Sequence, residues 1–120
     1  MATEFTPLFD DGDEITRATS GAVTAGQALI VSGDDTVAAS TAASAAFLGI
    51  AAFDAASGAD VTVHLGKVHE LTSTGAINAG DPITCAAAGA VAAFSGTTYS
   101  TIIGKALKAA ASNKVVVRLF

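Results

Sequence analysis

The chain has no tryptophan, one cysteine, one tyrosine and two prolines in 120 residues. A lone Cys85 excludes an intrachain disulfide framework, so packing alone must hold the fold. Basic residues are scarce, six Lys and Arg against eleven Asp and Glu, for a net charge of −5. With no basic stripe interleaved with aromatics, no direct nucleic-acid binding is expected. Long hydrophobic runs are missing as well. The longest apolar window, residues 42–53, contains Ser44 and Gly49. It is too short to span a bilayer, so no membrane association is expected. The opening MATEFTPLFDD lacks the basic and apolar regions of a signal peptide, which points to a soluble protein made in a cytoplasm.

Large core-filling side chains are also few. Apolar residues make up 51% of the chain, but Ala and Val dominate them, with six Phe. A length of 120 residues suits one domain. An Ala-rich core buries little area per residue, at roughly 25 cal/mol per Å². Burial against further copies or a larger surface offsets that deficit, so self-association is expected.

What the chain has in place of large residues is repetition. Residues 48–65, LGIAAFDAASGADVTVHL, read as a β-hairpin, and the last eighteen residues carry the same pattern. Gly49, Ala51 and Ser57 match Gly104, Ala106 and Ser112. After a one-residue gap, Val61, Val63 and Leu65 match Val115, Val117 and Leu119. Residues 22–27, AVTAGQ, recur 54 positions later as AINAGD. An echo at fixed period sets the architecture. It gives pseudo-repeats of about 20–66 and 74–120 within a single β domain, 15–120.

Each repeat has turn signals at the expected places. Gly33-Asp34-Asp35 separates strands 28–32 and 36–39 as a hairpin turn, because Gly and Asp tolerate positive φ. Pro82 opens the strand 82–85, where a missing donor costs least. Residues 67–71, KVHEL, read as a linking strand between the halves. Ala has the best helix propensity, so residues 42–56 and 104–111 compete as short helices. The need of the flanking strands to pair favours strand and loop. The sum is an all-β fold, a small antiparallel barrel or sandwich of eight to ten short strands.

Residues 1–14 read as an extended N-terminal arm. Phe5, Leu8 and Phe9 are too apolar for a purely disordered tail, and Asp10, Asp11, Asp13 and Glu14 make it acidic. Extended, it reaches at most about 46–50 Å, enough to cross to a neighbouring subunit. These seven residues are the candidate partner-binding set, with packing of the arm on its own domain as the alternative. The far end is basic: Lys105, Lys108, Lys114 and Arg118, with no acid in residues 100–120. These four are candidate inter-subunit contacts, since complementary patches set register; two solvated faces are the alternative reading.

Catalytic and cofactor chemistry is not in evidence. His64 and His69 lie five apart, which puts them on opposite faces of an unbroken strand unless Gly66 bends it. With Glu70 they give no third ligand cluster for a metal. Asp10-Asp11-Gly12-Asp13-Glu14 lacks the alternating order of a calcium loop. Cys85 has no nearby histidine in sequence and reads as a buried thiol. Ser57 and Ser112 are duplicated turn formers. No cofactor and no enzymatic activity are expected.

The ordered set GAVTAGQALIVSG, FLGIAAFDAASGADVTVHLGKVHEL, GAINAGDPITCAAAGAVAAF and IIGKALKAAASNKVVVRLF resembles the small phage capsid cement, or head decoration, proteins. Members were once labelled predicted recombinases of the RecA/RadA type. No Walker A glycine–lysine loop supports that label here. The resemblance covers roughly residues 15–120. It implies a β-rich virion protein made in the host cytoplasm that binds the outer capsid surface. The partner it implies is the major capsid protein, bound commonly as homotrimers at three-fold and quasi-three-fold positions. Another virion part, such as a tail or fibre domain, or a host-surface adhesin is the alternative expectation.

Overall fold

The computed structural model describes residues 13–120. It holds ten strands and two single 3₁₀ turns, and no α-helix among the described residues. The strands are β1 (Glu14–Thr19), β2 (Ala28–Gly33), β3 (Thr36–Ala39), β4 (Phe47–Ala51), β5 (Asp60–His64), β6 (Val68–Thr72), β7 (Pro82–Cys85), β8 (Val91–Ala93), β9 (Ile102–Ala106) and β10 (Lys114–Leu119). The Ala-rich segments that competed as helices are strand and loop. The short helical turns lie elsewhere, at Ala87–Gly89 and Tyr99–Thr101.

The first five strands form a closed barrel in the order β1-β3-β2-β4-β5, with β5 returning to β1. Its seam is the short parallel pair Ala18–Thr36 and Thr19–Val37. The second five repeat that order as a sheet, β6-β10-β9-β7-β8. Shifting the first set by 54 or 55 positions reproduces the second. The parallel seam survives there as one bridge, Ser73–Val91, the counterpart of Thr19–Val37. The second sheet is therefore the same barrel, left nearly open along one line.

The strand at residues 67–71, read from sequence as a link, is β6. It pairs along its length with β10 and takes the place of β1 in the second set. β1 itself begins at Glu14 and pairs with β5 from Glu14–His64 to Ala18–Asp60.

Duplicated residues do duplicated work. Thr24 N–H donates to Gln27 Oε1 at 2.8 Å, and Asn78 N–H donates to Asp81 Oδ2 at 2.9 Å. Gly26 and Gly80 follow at φ +85° and +88°, a region open to glycine at little cost. The β9–β10 turn places Ser112 and Asn113 at φ 52° and 60°, the primed hairpin turn whose twist matches the strands. Gly49 and Gly104 have another reason. A Cβ on either would overlap the carbonyl oxygen of His64 or Arg118 on the facing strand.

The barrel interior holds Val23, Leu29, Val37, Ala51, Val61 and Val63, with Leu48 and Leu65 against them. The second core uses the matching Ile77, Ile83, Val91, Ala106, Val115, Val117, Ile103 and Leu119. It also takes in Ala28 and Ile50 from the first barrel, with Ile30 and Phe47 packed alongside. The scarcity of large side chains is met in this way: the two halves share one cluster.

Polar bonds fix the junction. Ser40, fully buried, donates through Oγ to the Ala86 carbonyl at 2.7 Å, and its own carbonyl accepts from Gly89 N–H at 3.0 Å. Cys85 Sγ lies 3.3 Å from the Ala42 carbonyl. The thiol is 1% exposed, as the sequence led one to expect of a buried cysteine.

Candidate partner-binding surface

Strand alternation explains the basic face. On β10 the buried residues are Val115, Val117 and Leu119, so Lys114 and Arg118 must point outward. Arg118 lies opposite Lys105 on β9, and Lys105 lies opposite Pro82 on β7. Three positive side chains thus share one exposed sheet face, where Lys114 Nζ donates to Thr72 Oγ1 at 3.1 Å. Lys108 lies outside the strands, in the exposed β9–β10 loop. Lys105, Lys108 and Arg118 have no acidic partner among the described residues.

The two halves are opposite in charge. From Asp13 to Gly66 six acids stand against Arg17 alone, and from Lys67 to Phe120 five bases stand against Glu70 and Asp81. Some of these acids are occupied locally. Asp54 Oδ1 accepts from Ala25 N–H at 2.8 Å, Asp81 holds its own loop, and Asp35 pairs with Arg17 at 3.6 Å.

Of the arm residues, Phe5, Leu8, Phe9, Asp10 and Asp11 lie outside the described residues. Asp13 is exposed, and its carbonyl accepts from Leu65 N–H at 2.9 Å. Glu14, the first residue of β1, sets Oε2 3.0 Å from His64 Nδ1. That contact attracts when the ring is protonated, but it is not aligned as a hydrogen bond. Across the bend at residues 65–67 the rings of His64 and His69 approach to 5.6 Å between centroids. Lys67, at φ 79°, makes that bend rather than Gly66. His69 Nε2 lies 2.7 Å from the Gly66 carbonyl, and no group of three or more metal-ligating side chains forms among the described residues.

Sequence reasoning missed the surface's apolar part. Val68 on β6 is 53% exposed beside Arg118, its cross-strand neighbour, and Tyr99 is 67% exposed with its ring 5.6 Å from that of Phe94. The register that joins Val68 to Arg118 spans fifty residues, so no local pattern carried it. A second feature missed is a cleft of about 310 Å³ between β6 and the first barrel, lined by Glu70, Thr72, Lys114, Gln27 and the backbone of Ala88 and Gly89. Among the described residues no helix is long and apolar enough to cross a membrane.

A solved structure shares the fold. The structure described as head fiber gp8.5 N base in bacteriophage phi29 superposes with a TM-score of 0.68, covering 89% of this chain and 92% of that one at 19% identity. No curated protein sequence matches significantly. The sequence profile of phage cement proteins matches residues 9–119, both sheets from end to end, and the chain belongs to that family.

Proposed function

We propose that this chain is a structural decoration protein that binds the outer surface of a phage head through the major capsid protein, as homotrimers at three-fold and quasi-three-fold positions. The observation that carries the reading is the cement-family match across residues 9–119. It supports a virion structural role rather than an enzymatic one. In this reading Phe5, Leu8 and Phe9 anchor in capsid pockets, as buried aromatics do at interfaces. Asp10, Asp11, Asp13 and Glu14 set the arm's orientation. Lys105, Lys108, Lys114 and Arg118 supply the inter-subunit contacts, with the unpaired charge described above giving them long-range attraction for acidic surfaces.

Co-sedimentation with purified heads tests the arm's part. A chain lacking residues 1–12 keeps all ten strands and should lose head binding with an unchanged far-ultraviolet spectrum. Unaltered binding by that shortened chain would refute the anchoring role. A second reading, a base that carries a fibre on the head, is favoured by the likeness to the phi29 head fibre base. It predicts a further virion protein bound to decorated heads, which pull-down from complete particles would reveal.

A further inference from the structure

The two halves of the chain meet through one surface of each, and each half carries the other surface unused. On the first barrel Leu29 and Ala51 face the interior, so their neighbours Ala28 and Ile50 face outward by strand alternation. Ser40 N–H donates to the Ala28 carbonyl at 2.9 Å, and Ala28 lies opposite Ile50, which makes an outward row across the barrel. The second half covers that row. Ala28 and Ile50 belong to one buried cluster with Cys85, Val91 and Ile103. Ser40 holds the 86–89 loop through its Oγ and its carbonyl, Gln27 Nε2 donates to the Ala88 carbonyl at 3.1 Å, and the Ala42 carbonyl covers Cys85.

The same row recurs in the second half, 54 or 55 positions on. Phe94 N–H donates to the Pro82 carbonyl at 2.8 Å, Pro82 lies opposite Lys105, and Lys105 lies opposite Arg118. Nothing among the described residues covers this one. Pro82, Lys105 and Arg118 are exposed, Phe94 is half-buried, and Tyr99 stands exposed against the Phe94 ring. The surface that would receive such a row is bare on the first half. Val31, the counterpart of the 1% exposed Cys85, is 48% exposed. It borders a hollow of about 160 Å³ at the barrel mouth, lined also by Ile15, Val37 and Leu48 and edged by Asp35. Asp34 and Asp35 are exposed there, in the places of Ala88 and Gly89.

We infer that these two bare surfaces bind each other between copies. The row Phe94, Pro82, Lys105 and Arg118 of one copy covers the barrel mouth around Val31 of the next, repeating between chains the junction found within the chain. Charge supports this choice of partner. The outer row has Lys105 and Arg118 where the inner row has Ile50 and His64, and the bare loop has Asp34 and Asp35 where the covered one has Ala88 and Gly89. Both sides of one contact have thus gained charge, and of opposite sign. Asp81, which stands in the place of Gln27, has Oδ2 bound by the Asn78 N–H at 2.9 Å. Asp35 is shared with Arg17 at 3.6 Å, so Asp34 is the charge to reverse in a test. Phe94, Tyr99 and Pro82 against the Val31 hollow give the contact an apolar centre within that charged rim. Each copy offers one surface of each kind, so the contact is heterologous and closes as a ring. The inference rests on the homotrimer reading above and gives it an interface, with first and second halves alternating around the ring.

Sedimentation equilibrium of the full chain, at low salt and without heads, tests this separately from head binding. The parent chain should form one closed species of three copies. Val31→Lys changes a half-exposed side chain, and it should leave monomers with an unchanged circular-dichroism spectrum. Asp34→Lys and Lys105→Glu should each weaken association at least about tenfold by placing like charges together. The two combined in one chain should restore it to within about threefold of the parent, since each replaces what the other removed. A ring formed in solution by a chain that fails to decorate heads supports this contact and refutes the decoration reading. A monomeric parent, association that survives Val31→Lys, or a combined variant no better than the single ones each overturns the inference.

Discussion

Gly49→Ala is the sharpest test of how the barrel is built. The added methyl would lie inside the van der Waals shell of the His64 carbonyl oxygen, with Val63 Cγ1 at only 2.8 Å. The obstacle is backbone on the facing strand, so no rotamer change relieves it. The closed barrel also limits how far β4 can move from β5. Overpacking of this kind costs about 1–3 kcal/mol, and a site against backbone belongs at the upper end. Gly→Ala returns about 0.4–1 kcal/mol by restricting the unfolded chain, leaving a net loss of roughly 2 kcal/mol. At about 4 °C per kcal/mol for a chain of this length, Tm should fall by roughly 8 °C in a calorimetric or circular-dichroism melt. Gly104→Ala meets the Arg118 carbonyl and Val117 Cγ1 at 3.0 Å, in a sheet whose seam is almost open. Its strands can separate, so its loss should be smaller. Gly66, with open space around it, is the control and should tolerate Ala. An unchanged Tm for Gly49→Ala would refute the close approach of β4 and β5.

Three further outcomes are expected. Ser40→Ala removes the donor to the Ala86 carbonyl at the junction of the halves and should cost about 1 kcal/mol, read as a lower urea midpoint with unchanged slope. Cys85, covered by the first barrel's connector, should resist a bulky thiol reagent in the native state and react stoichiometrically in urea. Reversing the outward charges with Lys105→Glu, Lys114→Glu and Arg118→Glu should leave the melt within about 0.5 kcal/mol of the parent, as exposed substitutions do. It should also abolish self-association measured by sedimentation at low salt, if these residues make the contacts proposed for them.

The parts of the fold legible in the sequence were those where both copies need the same side chain. The hairpin echo was visible because Gly49 and Gly104 cannot be anything larger and because Val61, Val63, Val115 and Val117 all face a core. The first strand of each set did not show as part of the echo: residues 67–71 read as a strand but only as a link, and β1 did not stand out. β1 and β6 occupy the same place, yet Ile15 corresponds to His69 and Arg17 to Leu71, because one strand closes a barrel and the other borders an opening. The shared core escaped notice for a related reason. Ile50 is buried against the second sheet whereas its counterpart Lys105 is exposed, so the same position carries opposite demands. For the candidate surface, composition showed an acidic and a basic end, but only register put Lys105 beside Arg118. The clustering of Lys114 with Glu70 and Gln27 around one cleft likewise depends on how the halves pack.

The central claim, that this cement-family chain decorates the outside of a phage head, is tested most directly by imaging. Purified protein should be mixed with empty and with DNA-filled heads of its phage, and each reconstructed with and without it. The account predicts added density on the outer surface at three-fold and quasi-three-fold positions, each large enough for three chains. Heads that gain no density, or gain it only at the tail vertex, would contradict it.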